Sequence, residues 1–484
     1  MLTDDARYEA LAARDPRFDG VFFVGVQTTG IYCRPICPAR TPGRARCAFF
    51  ATPASAEQAG FRACFRCRPE LAPGNAPVDA VDVLVASATQ RITEGALNEG
   101  SLDDLAQELR VSARHLRRAM EIRIGVSPVE LAQSRRLALA KQLLQDTALP
   151  LTEIAFAAGF GSVRRFNAVF IDRMGSAPSQ LRRKHASARA SSITLRLDYR
   201  EPYDWAQLIG FLRGRAIPGV EVVGDASYQR VVHLAGHVGA IEVTPARDRA
   251  ALLLTASPAL LPVLMSLVAR VRRMFDLDAR PDLIGNTLRK DRALAAMITA
   301  RPGLRLPGAI DPFEAAIRAM LGQQVSVAAA TTLAGRFAAQ LGAAVTLDAP
   351  IAGLTHRFPT PVEVVAGGAE RIVKIGMPMT RALAIHKLAE QVATAAIKLD
   401  GICELDAFVA QLVELPGIGP WTAHYLAMRA LHLPDAFPAM DLGVQKALRR
   451  SGAKAAEARA EAWRPFRSYA VMHLWTQLSE GAGK

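Results

Sequence analysis

The spacing of apolar residues changes character repeatedly along the chain. Behind a short helical opening, the segment FDGVFFVGVQTTGIYCRPICPAR alternates apolar and polar positions, as half-buried strands do. From Ser101 the period lengthens. Leu102, Leu105, Ala106 and Leu109 share one helical face, Ser101 stands as N-cap, and Asp104 follows three residues on. After a turn at Val111, Ser112 is placed to cap a second helix that carries Arg114, Arg117 and Arg118. The segment LTEIAFAAGFGSVRRFNAVF repeats this design, with its turn at Gly159 and Gly161 and a helix bearing Arg164, Arg165 and Asn167. A long helical pattern over 128–145 joins the two copies. Each copy reads as a helix-turn-helix, and two in one chain can enter successive major grooves about 34 Å apart. The arginines are expected mainly at phosphates or on a solvated face, not at base edges.

From 193 to about 280 the runs shorten to strand-like segments (ITLRLDY, VEVVGDASYQRVVHL, AIEVTP) with one helix near WAQLIGFLRGRA. Beyond 281 helices dominate. Asp311 and Pro312 form an N-cap and N1 pair. Gln323 and Gln324 end an apolar face just before a further helix, where they equally suit a helix junction. In LPGIGPWTAHY, residues 415–425, Pro416 stops one short helix, and Gly417 and Gly419 supply the freedom of a tight turn into the next. Such a turn leaves helix N–H groups facing outward, open to a phosphate. An ordinary helical hairpin has the same local form.

Composition narrows the partners. The chain has 484 residues, half of them hydrophobic, and a net charge of +14. That length calls for several domains, and that charge calls for a polyanion. A membrane surface is the alternative, but no run approaches the roughly 18 apolar residues of a membrane span. The acidic opening MLTDDARYEA does not resemble a secretory signal, so a cytoplasmic protein is expected.

Six cysteines over this length do not form a disulfide framework. Cys33 and Cys37 are spaced C-x3-C, and Cys64 and Cys67 are spaced C-x2-C, which reads as one tetrahedral four-thiolate zinc site. Cys47 falls outside the pattern and suits a small buried apolar position. GIYCRPICPAR followed by GFRACFRCRPE resembles the N-terminal domain of the Ada-type methylation-response proteins. The double helix-turn-helix resembles the AraC-type domain that follows it in that family. The resemblance implies one zinc per chain, with Cys33 as the acceptor of a methyl group from DNA phosphotriesters. Four thiolates around one divalent cation carry a net charge of about −2, so methylating one sulfur weakens repulsion from DNA.

The hairpin with Asp441 in FPAMD sixteen residues beyond it resembles the helix-hairpin-helix DNA glycosylases of the AlkA type, which excise 3-methyladenine. YREPYDWAQLIGFLRGRAIPGVE resembles the N-terminal domain of the same enzymes. The resemblance implies Asp441 as the catalytic acid, although an Asp before Leu442 and Val444 also suits a helix N-cap. It implies a base pocket of Phe211, Trp421, Tyr425, Trp475 and Gln323, with DNA contacts at Gln324, Gly417 and Gly419. Stacking on aromatics contributes roughly 1–3 kcal/mol per base, enough to offset extrusion from the duplex. Relatives with lyase activity carry a Schiff-base lysine where this chain has Trp421, so hydrolysis without a lyase step is expected. No cysteine follows Cys403, and no P-C-H-R methyltransferase motif occurs, so neither an iron–sulfur cluster nor alkylguanine repair is expected.

The expected architecture is multidomain and mainly α. It comprises a small zinc-bound α+β domain (1–75), an AraC-type double helix-turn-helix (78–185), an α+β AlkA N-terminal domain (193–280) and an all-α helix-hairpin-helix glycosylase domain (281–484). The expected function is a transcriptional activator of the alkylation response joined to a repair glycosylase. Its expected partners are alkylated and promoter DNA and RNA polymerase, and the chain is expected to be monomeric. The alternatives are a regulator whose glycosylase half is an inactive DNA clamp, and a glycosylase whose N-terminal half only holds DNA.

Overall fold

A computed structural model of the chain describes residues 2–74, 83–181, 192–401, 403–449 and 452–481. The sequence also suggests linkers at 72–77 (APGNAP) and 185–193 (HASARASSI), of which 75–77 and 185–191 lie outside the described residues. The chain forms two compact units. One comprises Met1–Glu201, Ala246–Arg270 and Leu277–Ala279; the other comprises Pro202–Pro245, Val271–Asp276 and Arg280–Lys484. Residues 193–280 are therefore divided between the two.

The first unit opens on a four-stranded sheet of β1 (Phe23–Val26), β2 (Ile31–Cys33), β3 (Cys47–Phe50) and β4 (Arg62–Ala63), in the order β3-β1-β2-β4. β1 pairs antiparallel with β2 and β3, and β2 runs parallel to β4. Phe22, Val24, Leu11 and Cys47 form its small core, so Cys47 packs as a buried apolar residue. The parallel β2–β4 pair brings Cys33, at the end of one strand, beside Cys64, just past the other.

The helix-turn-helix units form as their caps dictate. Ser101 and Asp104 make a reciprocal capping box for the helix Leu102–Glu108. Ser112 accepts from the N–H of His115 to start Ala113–Ile124, and Ser162 accepts from Arg165 to start Val163–Met174. Leu116, Met120, Phe166 and Phe170 are completely buried, so the opposite faces of these two helices are outward. Gly159 sits at φ +84°, and a Cβ there would lie within 2.5 Å of the Asn98 side chain, so only glycine fits this turn. The connecting helix Pro128–Asp146 buries Lys141, Gln142 and Gln145, polar residues that a solvated helix would expose. Lys141 and Gln142 are buried because the helix packs along the zinc-domain loop and the strand Ile193–Asp198. Lys141 donates to Glu70 at 2.8 Å, and Gln142 donates to the carbonyl of Arg196 at 2.9 Å. That strand pairs antiparallel with Ala251–Ala256.

In the second unit, strands Glu221–Val223, Tyr228–Leu234 and His237–Pro245 form an antiparallel meander. Buried Arg230 from this meander pairs at 2.5 Å with Glu314 on the helix Pro312–Leu321. Asp311 caps that helix, accepting from Phe313 at 2.9 Å. The hairpin joins helices Leu405–Val413 and Pro420–Arg429. Gly417 is left-handed at φ +77°, as the turn requires. Gly419 is not: at φ −90° and ψ 175° its backbone is extended and open to any residue. Its missing side chain leaves open space instead of conformational freedom, which corrects one part of the sequence-based expectation.

Candidate functional site

The four sulfurs of Cys33, Cys37, Cys64 and Cys67 all lie within 4.8 Å of one another. Zinc–thiolate bonds of about 2.3 Å in a tetrahedron place sulfurs about 3.8 Å apart, so the cluster matches such a site. The crowding itself calls for a cation. Hydrogen bonds to Cys37 and then Cys64 push the Cys33 thiol up, while bonds from Cys33 and Cys37 hold Cys64 down. Cys37 is lowered to about 7, first by its bond with Cys33. Four thiols this close cannot all ionise unaided, and a divalent metal removes the conflict. The N–H of Arg34 donates to Cys67 Sγ at 3.4 Å, and its buried guanidinium donates to the Cys67 carbonyl at 3.2 Å and to Asp198 at 3.0 Å. Cys37, Cys64 and Cys67 are buried, whereas Cys33 keeps partial exposure.

In the second unit, Asp441 is held by three donors. Trp421 Nε1 reaches its Oδ2 at 2.9 Å, Trp475 Nε1 reaches Oδ1 at 3.0 Å, and the N–H of Val444 reaches Oδ1 at 2.9 Å. Asp441 is thus both the N-cap of the helix Leu442–Ala447 and the centre of an aromatic frame. Trp421 and Tyr425 lie one turn apart on the helix Pro420–Arg429. They stack with ring centroids 5.4 Å apart, and Trp475 lies 6.3 Å from Tyr425.

Phe211 joins this group through cations that sequence reading missed. The Arg429 guanidinium sits 4.8 Å from the Phe211 ring and 5.8 Å from that of Tyr425, and Arg215 lies 3.8 Å from Phe211. Arg429 also donates to the Tyr425 hydroxyl at 3.2 Å. Burial raises the Tyr425 phenol, but Arg429, Arg215 and Arg318 outweigh it and hold the group below its ordinary value. Burial pulls Arg215 down to about 10. One signal was available: Arg429 follows Tyr425 by four residues on one helix, and Arg215 follows Phe211 at the same spacing, just past the end of its helix.

Gln323 lies beside the hairpin. Its amide donates to the Gly417 carbonyl at 2.8 Å and to Thr422 Oγ1 at 3.0 Å, so it braces the turn. Gln324 is exposed, in the left-handed region at φ +58°. Arg114, Arg117, Arg118, Arg164 and Arg165 all lie on the exposed faces of their helices.

A four-thiolate domain, two helix-turn-helix units and a glycine hairpin facing an indole-held acid define a DNA-binding protein with a base-excision module. Comparison with known families agrees along the chain. The metal-binding domain of Ada matches residues 6–70, a helix-turn-helix domain 105–184, the AlkA N-terminal domain 194–311, and the HhH-GPD superfamily of base excision DNA repair proteins 317–467. A Mycobacterium tuberculosis (strain ATCC 25618 / H37Rv) protein named "Probable bifunctional transcriptional activator/DNA repair enzyme AlkA" is 39% identical, over 97% of this chain and 96% of its own length. The chain belongs to that family. The Escherichia coli (strain K12) protein named DNA-3-methyladenine glycosylase 2 is 36% identical over 58% of this chain and 95% of its own. The bifunctional transcriptional activator/DNA repair enzyme Ada of the same organism is 34% identical over 37% of this chain and 49% of its own.

Proposed function

We propose that this chain activates transcription in response to DNA methylation and excises alkylated purines by hydrolysing the N-glycosidic bond. The observation that carries the excision reading is the double indole grip on Asp441. Cleavage builds positive charge on the sugar, and a fixed carboxylate beside the anomeric carbon stabilises that charge. With one indole N–H on each oxygen, Asp441 keeps its orientation as the charge develops. The stacked Trp421 and Tyr425, with Trp475, supply electron-rich faces for an extruded, positively charged methylpurine. Position 421 holds tryptophan, and Lys446 lies beyond Asp441 on the following helix, so no Schiff base forms. Borohydride should trap no covalent DNA adduct, and efficient trapping would overturn the hydrolytic reading.

In the first unit, one zinc bound by Cys33, Cys37, Cys64 and Cys67 would keep these sulfurs deprotonated. Cys33, the most accessible of the four, attacks the methyl carbon of a DNA phosphotriester. The S–C bond forms as the C–O bond breaks, and the electron pair leaves on the phosphate oxygen as a diester anion. Loss of one thiolate charge raises affinity for DNA, which the helix-turn-helix arginines then engage at a promoter to recruit RNA polymerase. The chain acts as a cytoplasmic monomer without an iron–sulfur cluster.

The test uses methylated duplex DNA and compares the intact protein with Asp441→Asn, counting released methylpurines and protein-bound methyl groups separately. Base release should fall at least about 100-fold in the variant while methyl uptake at Cys33 is kept. Methyl uptake without base release by the intact protein would leave the second unit a DNA clamp.

A further inference from the structure

We propose that Ser468 and the Asp276–His432 pair are positioning residues for Asp441, fastening the stretch that delivers the acid to the helix that bears Trp475. The proposal rests on the glycosylase reading above. Between the helices Pro420–Arg429 and Leu442–Ala447 the chain forms no helix or strand, so no regular ladder of hydrogen bonds fixes where it sets down Asp441. The stretch is nevertheless buried at Leu431, Leu433, Ala436, Phe437 and Ala439, and its carbonyls therefore need donors from elsewhere. The two indoles grip only the carboxylate oxygens of Asp441. Where its main chain stands depends on the stretch before it.

Ser468 supplies such donors. Its Oγ lies 2.7 Å from the Leu433 carbonyl and 2.9 Å from that of Ala436, and its N–H donates to the Pro434 carbonyl at 2.9 Å. Ala470, Val471, Met472 and Leu474 further along the helix are fully buried and apolar, so the hydroxyl at this equally buried position serves hydrogen bonding and not packing. Ser468 and Trp475 lie two turns apart on the helix Arg467–Gly481, so they share a face about 10 Å apart. One helix thus holds the stretch at its base and the acid at its end. The neighbouring Tyr469 completes the base. Its hydroxyl donates to Asp276 at 3.2 Å (Oδ1) and 3.0 Å (Oδ2). Asp276 also accepts from the N–H of Leu306 at 3.0 Å and pairs at 2.8 Å with His432 Nε2. Asp276 and His432 are both buried in left-handed backbone, at φ +51° and +59°, a cost for residues with a Cβ that their mutual bond offsets. Nδ1 of His432 has no partner among the described residues, so the ring is held through Nε2.

The test compares the full chain with Ser468→Ala, His432→Leu and His432→Gln on one methylated duplex, well below the unfolding temperature. A displacement of about 1 Å at a reacting group costs up to about 100-fold, so Ser468→Ala and His432→Leu should each lower kcat about 10-fold with KM within about twofold. His432→Gln keeps an N–H for Asp276 and should restore most of the rate. Combining Ser468→Ala with His432→Leu should cost about as much as the worse single change, because both free one stretch. An unchanged kcat, a rise in KM instead, or a multiplied loss of about 100-fold in the double variant would overturn the proposal. A second arm reads the indole N–H resonances of isotope-labelled tryptophan, those of Trp421 and Trp475 being identified through their phenylalanine variants. Ser468→Ala should shift these two and leave that of Trp205 in place. A loss of rate with both resonances unmoved would make Ser468 a stabilising residue alone and defeat the proposal. If the intact protein releases no base, the glycosylase reading fails, and the indole arm by itself decides whether Ser468 positions Asp441.

Discussion

The ammonium of Lys141 donates to the main-chain carbonyl of Cys64 at 3.2 Å, joining the helix between the two helix-turn-helix units to a metal-site cysteine. The same Nζ pairs with Glu70 at 2.8 Å and lies 4.9 Å from the Phe65 ring, on a residue only 1% exposed. Arg68 extends the junction, with a two-toothed grip on Asp146 at 2.7 and 3.1 Å. The thiolate loop and the long helix are therefore locked together by paired charges within the first unit.

Lys141→Met keeps the packing against Phe65 but leaves buried Glu70 with Arg68 alone. Breaking a buried pair in this way costs about 3–5 kcal/mol. The expected result is a lower unfolding temperature for the first unit and faster metal release to a chromophoric chelator. Base release from alkylated DNA should stay within twofold of the parent, because Lys141 lies in the other unit. Unchanged metal release would show that the lock carries no load.

The indole hydrogen bonds make a second prediction. Trp475→Phe preserves the ring that faces Tyr425 but removes the donor to Asp441 Oδ1. A hydrogen bond to a charged group contributes about 1.5–3 kcal/mol. If it acts in the transition state, kcat falls roughly 10- to 100-fold with little change in KM. The helix cap persists through Val444, so the unfolding temperature should move little. A rise in KM with kcat intact would instead assign the indole to ground-state binding.

Local features were legible in the sequence because their causes are local. Ser101, Ser112 and Ser162 announce helix starts through their own side chains, and Trp421 and Tyr425 stack because four residues make one turn. The cysteine spacings pointed to one site because a metal leaves few alternatives. The unseen parts depend on contacts between distant segments. Arg429 reaches the Phe211 ring from a helix more than 200 residues further along the chain, which no periodicity reveals. Lys141 reads as a solvated helix residue until the zinc-domain loop is folded onto it. Gly419 looked like a second conformational hinge because glycine has two uses, and only coordinates separate an unusual φ from a missing side chain.

Metal removal should act on one unit alone. Zinc binding of roughly 10–16 kcal/mol is comparable to the whole stability of a small domain. Chelation at neutral pH should therefore unfold the four-stranded sheet and abolish methyl uptake. Base release from oligonucleotides should persist, since no cysteine enters the Asp441 frame. Loss of both activities on chelation would tie the second unit to the metal.

The exposed arginines predict a salt signature. If Arg117, exposed on its helix, meets a phosphate as proposed, Arg117→Ala removes that contact, and the slope of log K against log salt for promoter DNA should shrink by about 0.9. Affinity for unrelated duplexes should fall in parallel. A sequence-dependent loss would instead mark Arg117 as a base reader.

His473 sets an acid limit on the second unit. It is 5% exposed, and burial, followed by the nearby charge of Arg301, pulls its folded pKa down to about 4, against an ordinary histidine near 6.5. Between those values the unfolded chain binds a proton that the folded chain refuses, so stability rises with pH across the window. The contribution is full above about pH 6.5, is lost progressively as pH falls towards 4, and is not lost further below that. The span corresponds to about 3 kcal/mol. Thermal unfolding followed from pH 7 to pH 4 should show this loss in the parent. His473→Leu, which cannot be protonated, should flatten it while leaving the pH 7 value within about 1.5 kcal/mol. An equally steep acid slope in the variant would assign the sensitivity to carboxylates and remove His473 from the account.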